Sequence, residues 1–352
     1  MSKFLSDTLN KMIAYVPGEQ PRDKAYVKLN TNESPFPASE GVVKAIDKNK
    51  IQDLRLYCDP TCKALKSELA RVYNTEENKI FLSNGSDEIL NFAFMAYGEK
   101  GVVFADITYG FYSVFSELYG LNAEIIPLKD DFSLDVNGFL AKNKLIVIAN
   151  PNAPTGLEIS IGDIEKILSS NPNDVVIIDQ AYVDFGGNCC AHLTEKYKNL
   201  LCVQTFSKSR SMAGARLGYA IANQEIIADL EKIKYSTNPY NVNSLTQIAG
   251  VAALKDNEYY IENAKKIIKN REYTTSELRK LGFTVLDSKA NFVFAKTDKI
   301  SGEDLYLKLK EKGVLVRHFT SERIKDFNRI TIGSMEQMQL LIEKIKEILG
   351  DM

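Results

Sequence analysis

The sequence predicts an α/β protein with a mostly parallel, doubly wound central sheet and a smaller α+β domain. Apolar runs of strand length alternate with segments of helical period between about residues 79 and 222. This alternation is typical of βαβ units, in which helices cover both faces of a parallel sheet. The pattern changes after Asn238-Pro239, and the 352 residues exceed one typical domain.

Six apolar runs are predicted to be buried strands of the central sheet. They are Lys79–Ser83, Gly101–Asp106, Ala123–Leu128, Leu145–Ala149, Val175–Asp179 and Leu201–Phe206. Segments of helical period lie between most of them, namely Asp87–Ala96, Phe111–Tyr119 and Ile161–Leu168. Because open α/β sheets bind ligands at the carboxyl ends of their strands, the residues that follow each run are the first candidates for a site.

The carboxyl-terminal third predicts the smaller domain. A long helical stretch, roughly Ser244–Leu281 with a break near 256–258, precedes four short strands. These strands are Phe283–Leu286, Asn291–Ala295, Val314–Arg317 and Arg329–Ile332. A last helix begins at a capping-box sequence that starts with Ser334. We expect the junction near residues 236–244. The predicted domains are an amino-terminal arm (1–38) that joins the small domain, a large domain (39–240) and a small domain (241–352).

Composition argues against several classes of function. The net charge is −2 and the charges are interspersed, so nucleic acid and anionic membrane surfaces are poor partners. The amino terminus does not have the pattern of a signal peptide, and no apolar stretch is long enough to span a bilayer. Five cysteines and two histidines suggest neither a disulfide framework nor a metal site, and we expect reduced thiols in a cytosolic protein.

The first candidate site is a glycine turn that leads into a helix. Gly85, Ser86 and Asp87 follow the strand Lys79–Ser83. Such a turn presents free backbone N–H groups and the positive end of the helix dipole, which together suit a phosphate. The same residues also suit a plain helix cap, in which Ser86 or Asp87 satisfies the helix end.

Two further strand ends carry polar side chains. Asn152 lies in a rigid loop with two prolines and a glycine, where it is either a turn residue or an amide that points into a site. Asp179 ends a strand of four apolar residues, and burial of its carboxylate is costly unless it meets a cation. Asp179 is therefore either a helix cap or the partner of a protonated ring nitrogen.

The strongest signal is the stretch Thr205–Tyr219. Lys208 follows a predicted buried strand, and a lysine held in a dry cleft becomes a nucleophile. Arg216 offers a two-pronged donor to a phosphate. Arg317 and Arg329 flank later strands and need anionic partners, which are either structural carboxylates or substrate. Each of these signals alone is ambiguous. Their order along the chain is a phosphate turn, an asparagine loop, an aspartate, a lysine and then arginines, and this joint order strengthens the prediction of a functional site.

These residues resemble the fold-type-I pyridoxal-phosphate aminotransferases, almost end to end from about Leu9 to about Leu349. The pattern Ser-Lys-(five residues)-Gly-x-Arg-x-Gly-Tyr, which begins at Ser207, carries this resemblance. Other stretches resemble the branch that acts on a phosphorylated amino alcohol. They are Tyr15–Gly18, Lys28–Pro35, Arg55–Tyr57, Pro239–Asn243 and Ala290–Phe294.

The resemblance implies pyridoxal 5′-phosphate as the cofactor and a role for each candidate residue. Lys208 is implied to form a Schiff base with the cofactor, Asp179 to pair with the pyridine nitrogen, and Tyr182 to approach the ring 3-oxygen. These three are the predicted catalytic residues. Tyr109 is implied to stack on the ring. The implied phosphate contacts are Gly85, Ser86, Asp87, Ser207 and Arg216.

The resemblance also implies the partners of the protein. The expected substrates are a phosphorylated amino alcohol and the pair glutamate and 2-oxoglutarate. The implied substrate-binding residues are Tyr15, Asn32, Arg317 and Arg329. Tyr57 is implied to reach the cofactor phosphate of a second subunit, which predicts a homodimer.

Two residues depart from the family pattern. The family usually has Asn directly before Pro-Thr-Gly, but this chain has Ala153 there, and we expect Asn152 to make the ring-oxygen contact instead. Gln180 replaces the usual Glu after the aspartate, and we expect this replacement to cause little loss of function.

Other functions remain open. A threonine-phosphate decarboxylase and an aromatic amino-acid aminotransferase share the fold, and Tyr182 with Pro239–Asn243 favours the transfer of an amino group to or from a phosphorylated amino alcohol. The effector domain of a transcription regulator would need a DNA-binding segment before residue 30, where the chain has no basic stripe. A dinucleotide-binding protein would need GxGxxG after a strand, which is missing.

Overall fold

A seven-stranded sheet forms the centre of the protein in a computed structural model that describes residues 4–6, 9–10 and 12–350. The strands are β1 Val27–Lys28, β2 Ile80–Ser83, β3 Val102–Ala105, β4 Ala123–Ile126, β5 Leu145–Ala149, β6 Val176–Asp179, β7 Leu200–Thr205, β8 Gly218–Ala222, β9 Thr284–Val285, β10 Phe292–Lys296, β11 Val314–Leu315, β12 Arg317–His318 and β13 Asn328–Thr331. The helices are α1 Glu40–Ala45, α2 Lys48–Gln52, α3 Lys63–Tyr73, α4 Ser86–Tyr97, α5 Phe111–Leu118, α6 Ile161–Ser170, α7 Gln224–Thr237, α8 Ser244–Lys255, α9 Asn257–Lys280, α10 Gly302–Glu311 and α11 Met335–Gly350. Part of the predicted arm, at residues 1–3, 7, 8 and 11, lies outside the described residues.

The central sheet has the order β2-β8-β7-β6-β5-β3-β4. All neighbours pair in parallel except β8, which is antiparallel to both β2 and β7. The predicted mostly parallel sheet and its six strands are therefore confirmed. The seventh strand, β8, was missed because its start lies inside the motif around Arg216, where the residues indicate a site rather than a strand.

Helices cover both faces of this sheet because successive side chains of a buried strand point to opposite sides. In β6, Ile177 belongs to the apolar core that includes residues of α4, α5 and α7, whereas Val176 and Ile178 belong to the core that includes residues of α3, α6 and α8. All three side chains are fully buried. Burial of each such isoleucine contributes about 1.5–3 kcal/mol relative to exposure, so the sheet is anchored from both sides.

The smaller lobe contains an antiparallel sheet in the order β12-β13-β10-β9, with α9, α10 and α11 packed around its apolar residues. The amino-terminal arm joins this lobe, because β1 pairs in parallel with β11. The predicted strand Val314–Arg317 is wrong as one element. Leu315 pairs with the arm, whereas Arg317 belongs to the four-stranded sheet, so the two halves lie in different sheets.

The long predicted helix breaks at Asp256, as expected from the sequence. Its first half, α8, packs on α1 and α3, and its buried Ala249 and Ala253 share a core with Leu65 and Leu69 of the large lobe. The large-lobe core thus includes α8, which lies beyond the predicted junction at 236–244. The division into domains at residues 38 and 240 remains a prediction.

The described residues contain no helix that is both long enough and apolar enough to cross a bilayer. All five cysteines are free thiols. No cluster of histidine, cysteine, aspartate or glutamate side chains within the described ranges could hold a metal ion.

Candidate active site

Two adjoining cavities meet at Lys208, beyond the carboxyl ends of β5, β6 and β7. The first has a volume of about 390 Å³ and the second about 340 Å³. Both are lined by Thr31, Tyr109, Ala153, Tyr182 and Lys208. The cavities thus lie at the carboxyl ends of the strands, where the sequence predicts a site and where parallel sheets usually bind ligands.

One end of the first cavity is the amino terminus of α4. The backbone N–H groups of Ser86 and Asp87 make no hydrogen bond within the described part of the chain, and no side chain caps this helix. A Cβ atom at Gly218 would lie 2.3 Å from the Ser86 nitrogen, so glycine there leaves this nitrogen uncovered. The helix end is therefore a set of free donors rather than a satisfied cap.

The guanidinium of Arg216 lies beside this helix end. Its Nη2 is 3.1 Å from Asp87 Oδ2, and Asp87 Oδ1 accepts a hydrogen bond of 2.8 Å from the Tyr109 hydroxyl. Gly85 has φ of +86°, and a Cβ atom there would lie 2.5 Å from Arg216 Nη2. Ser207 completes the wall, and its hydroxyl accepts from the Thr205 hydroxyl. All five predicted phosphate residues meet here.

Asp179 also lines this cavity and is 5% exposed. Burial raises the pKa of its carboxyl group to about 6, although hydrogen bonds from the Tyr112 hydroxyl (2.9 Å) and the Ala181 N–H (3.2 Å) oppose this rise. Asp179 forms no ion pair with any described residue. The site thus holds a buried acid that lacks a cationic partner.

Tyr112 and Thr31 are site residues that the sequence analysis missed. Tyr112, in the first turn of α5, is fully buried and lies three residues after Tyr109. Its hydroxyl donates to Asp179, whereas Tyr109 lines both cavities. The three-residue spacing from Tyr109 is the signal that identifies Tyr112. Thr31 acts through its backbone carbonyl, which accepts from Lys208 Nζ at 3.3 Å, and a backbone contact leaves no mark in the sequence.

Tyr182 connects Lys208 to the small lobe. Its hydroxyl accepts a 3.0 Å hydrogen bond from the Asn32 amide, and Asn32 Oδ1 accepts from the Thr331 hydroxyl at 2.9 Å. The ammonium of Lys208 is 5.6 Å from the centre of the Tyr182 ring. Asn32 has φ of +58°, a left-handed conformation that asparagine tolerates better than most residues. The predicted residues Asn32 and Tyr182 are thus in direct contact.

The second cavity carries the predicted substrate residues Tyr15, Asn32, Arg317 and Arg329. Arg329 donates through Nη2 to the Asn30 carbonyl at 2.9 Å, but its buried Nε has no hydrogen-bond partner in the part of the chain that the structure describes. Burial lowers the pKa of the Arg329 guanidinium. Within the described ranges, Arg317 forms one hydrogen bond, of 3.4 Å from Nη2 to the Val16 carbonyl, and its guanidinium lies 5.8 Å from the Phe319 ring centre. Two cations with unused donors therefore face the space next to Lys208.

Asn152 does not reach the site. Its amide donates to the Ile107 carbonyl (2.9 Å) and the Thr155 hydroxyl (3.0 Å), and its oxygen accepts from the Thr108 hydroxyl (2.8 Å). It lines neither cavity, whereas Ala153 lines both. The structure therefore gives no support to the predicted ring-oxygen contact of Asn152, because the amide is already satisfied within its own loop, and the contact stays a prediction.

Two other residues also lie away from the cavities of this chain. Gln180 holds a loop in place, donating to the Asn188 carbonyl at 2.9 Å and accepting from the Cys190 N–H at 3.0 Å. Tyr57 is 83% exposed and stacks on Tyr240 with ring centres 4.5 Å apart. Within one chain, Tyr57 contributes nothing to the site.

Residues 24–345 match the family described as aminotransferase class I and II. The chain therefore belongs to this family. A curated relative from Brachyspira hyodysenteriae (strain ATCC 49526 / WA1), named histidinol-phosphate aminotransferase, is 53% identical and is covered over 99% of both chains. Within the class I and II family, the chain is thus a member of the histidinol-phosphate aminotransferase group.

Solved structures share the fold. The histidinol-phosphate aminotransferase from Sinorhizobium meliloti, in complex with pyridoxal-5′-phosphate, matches with a TM-score of 0.89 at 23% identity over 100% of this chain and 99% of its own. The L-threonine-O-3-phosphate decarboxylase from Porphyromonas gingivalis matches with a TM-score of 0.81, also at 23% identity, over 92% and 99%. At such low identity these likenesses show the fold alone, so the choice between transfer and decarboxylation depends on other observations.

Proposed function

We propose that the chain transfers an amino group between histidinol phosphate and 2-oxoglutarate, giving imidazole acetol phosphate and glutamate, with pyridoxal 5′-phosphate as cofactor. In the biosynthetic direction this reaction forms histidinol phosphate on the route to histidine. The observation that carries the proposal is the pair of cavities that share Lys208. One cavity contains the predicted phosphate-binding residues at the amino terminus of α4, which we call the phosphate seat. The other cavity contains Arg317 and Arg329.

The first cavity fits the cofactor at both ends. The uncovered N–H groups of Ser86 and Asp87, together with Arg216 and Ser207, would hold the phosphate. Asp179 would face the ring nitrogen, because a buried carboxylate without a cation is suited to a protonated one. Tyr109 and Tyr182 line the space between these ends and would contact the ring. When bound, the group withdraws electrons from the substrate's α-carbon.

Lys208 would perform two tasks. Its amine would hold the cofactor covalently and, once displaced, would take the proton from the α-carbon of the amino substrate. The amine lies where the two cavities meet, between the Thr31 carbonyl and the Tyr182 ring. A base at this junction can serve a substrate that enters from the arginine side.

The second cavity would orient the substrate by its anion. Arg329 has a buried, unused Nε donor, and Arg317 lies beside it on the same wall. A phosphate ester and a carboxylate both offer oxygens to a guanidinium, so one pocket can accept histidinol phosphate and then 2-oxoglutarate. Tyr15, packed 4.4 Å from the Phe111 ring centre, would line the wall that the substrate touches.

We further propose that the enzyme acts as a cytoplasmic homodimer in which Tyr57 reaches the cofactor phosphate of the other subunit. Ile51, Leu54, Leu56 and Tyr57 are each more than half exposed, and Tyr240 packs on Tyr57. Apolar side chains exposed together in this way are typical of an interface. The five free thiols are consistent with a reducing compartment.

A substrate screen tests the proposed reaction. Purified enzyme is given histidinol phosphate with 2-oxoglutarate, threonine phosphate alone, or phenylalanine with 2-oxoglutarate. We expect glutamate formation to be fastest with histidinol phosphate and no carbon dioxide from threonine phosphate. Faster carbon dioxide release would instead assign a decarboxylase, and faster reaction of phenylalanine would assign an aromatic aminotransferase.

The attachment of the cofactor is tested separately on the same sample. Borohydride should fix the visible chromophore to the peptide that contains Lys208. A Lys208→Ala variant should lose this labelling and about 10²–10⁴-fold or more of its activity. A variant that kept full activity would overturn the assigned base.

A further inference from the structure

A third cavity, of about 310 Å³, lies behind the lysine and shares no wall residue with the two cavities of the site. It is bounded by the first turns of α9 and by the segment that directly follows Lys208. Its polar wall residues include Tyr73, Asp184, Ser209, Arg210 and Asn257. The proposed reaction uses none of them.

Arg210 is the reason to expect a ligand here. The residue is 9% exposed, yet its side chain forms no hydrogen bond or ion pair with any described residue, and its buried Nη1 is unpaired. The guanidinium carbon lies 5.8 Å from the Phe206 ring centre and 5.6 Å from that of Tyr260. Ring contacts of this kind stabilise a cation by about 0.5–2 kcal/mol, less than the several kcal/mol that burial of an unpaired charge costs.

The unpaired guanidinium of Arg210 is suited to bind a carboxylate. The two aromatic rings interact with the charge but cannot accept the N–H hydrogen bonds at the edge of the guanidinium. A planar carboxylate can accept two such bonds in parallel. The cavity beside this side chain is where such a group would lie.

Asp184 gives the same cavity an anionic end. It accepts from the Ser209 hydroxyl but forms no ion pair with Arg210, so neither charged group has an ion-pair partner among the described residues. Lys265, another cation on the wall, is already paired with Glu262 at 2.7 Å. The cavity thus offers one unpaired cation and one acid to a ligand that carries both opposite charges.

We propose that this cavity binds a free α-amino acid, with its carboxylate on Arg210 and its ammonium group facing Asp184. The remaining walls are apolar, formed by Val72, Ile261, Ala264 and Ile268, and they favour an apolar or aromatic side chain. The volume equals the share of about ten water molecules, which suits a molecule of amino-acid size.

The test uses holoenzyme reduced with borohydride, so that amino acids cannot react in the catalytic cavity. L-Phenylalanine binding is measured by calorimetry, with 3-phenylpropanoate and phenethylamine as probes that each lack one charge. We expect phenylalanine to bind more tightly than either probe. Arg210→Met should weaken its binding about 10- to 100-fold, the range for a hydrogen bond to a charged group. Lys265→Met, the matched control, should change it less than about twofold, because Lys265 is exposed and already paired.

Asp184→Asn provides a second measurement that does not depend on a buried residue. This variant should bind phenylalanine and 3-phenylpropanoate with similar affinity, because it lacks the charge that recognises the amine. The melting temperature of each variant is recorded to confirm folding. Absence of phenylalanine binding to the reduced wild-type enzyme, or unchanged binding by folded Arg210→Met, would refute the site. Equal binding of 3-phenylpropanoate to the wild type would refute the zwitterionic ligand.

Discussion

Arg317 and Arg329 lie directly opposite each other in the antiparallel pair of β12 and β13, and both line the cavity next to Lys208. Like charges at directly opposed positions of a sheet destabilise it. Arg329 is also buried with an unused donor, and the neighbouring Arg317 further lowers the pKa of its guanidinium. An anionic ligand between them would relieve both costs, so the pair is better explained by binding than by stability.

Replacement of Arg329 by alanine should therefore impair catalysis with both substrates. We expect kcat/KM to fall about 30- to 5,000-fold, equivalent to about 2–5 kcal/mol, for histidinol phosphate and for 2-oxoglutarate. Arg329→Lys should recover part of the loss, since it restores the charge but not the fork. Unchanged kcat/KM for both substrates in Arg329→Ala would show that the anions bind elsewhere.

Asp179 should make the stability of the cofactor-free protein depend on pH. Its carboxyl pKa is about 6 when folded and near 3.8 when unfolded, so the folded state binds more protons between these values. Stability contributed by this group is therefore present below about pH 4 and is lost as pH rises through about 6, up to about 3 kcal/mol.

Asp179→Asn removes this buried charge. The cofactor-free variant should be more stable than the wild type in urea at about pH 8, and the difference should disappear near pH 4. The same change should weaken cofactor binding, because the cationic ring nitrogen would lose its partner. The exposed Asp298→Asn serves as control. A variant as unstable as the wild type at the higher pH would contradict the assigned burial cost.

Gly85→Ala should damage the phosphate seat. The φ of +86° strains any residue with a Cβ atom, at about 1–3 kcal/mol, and the new methyl group would displace the Arg216 guanidinium. We expect cofactor affinity, measured by absorbance titration, to fall about tenfold or more, as for loss of a charge-assisted hydrogen bond. Gly120 also has a positive φ but faces open space, so Gly120→Ala should lower stability without changing cofactor affinity.

Tyr57→Phe should weaken cofactor binding only if a second subunit completes the site. In one chain the ring is exposed and lines neither cavity of the site, so a loss of about 10- to 100-fold in affinity would have to come from its hydroxyl acting across an interface. Light scattering should give a dimer for the variant and for the Tyr240→Phe control. A monomeric wild type at micromolar concentration would contradict the proposed assembly.

Asn152→Ala should affect stability rather than the cofactor. The amide makes three hydrogen bonds within its loop, so we expect a loss of about 1–3 kcal/mol in the free energy of unfolding. The position and pH dependence of the visible absorption band should remain as in the wild type. A shifted titration of the band with normal stability would instead restore Asn152 as a ring contact.

The sequence determined much of this protein because its strongest signals are local. Continuous apolar runs identified six of the seven central strands, and the order of polar residues at their ends identified Asp179, Lys208 and Arg216. Hydrophobic period and strand-end position depend only on neighbouring residues. For the same reason the split between Leu315 and Arg317 was missed, since it arises from pairing with two distant strands.

Tertiary structure decided the features that depend on distance between remote segments. The contact of Asn32 with Tyr182 joins residues 150 positions apart, and the Thr31 carbonyl lies 177 positions from Lys208. Only packing showed that Asn152 is satisfied within its loop and that Arg210 is buried without a partner. Local sequence determines which groups can bind and react, whereas the fold decides which of them are already satisfied and which remain free for a ligand.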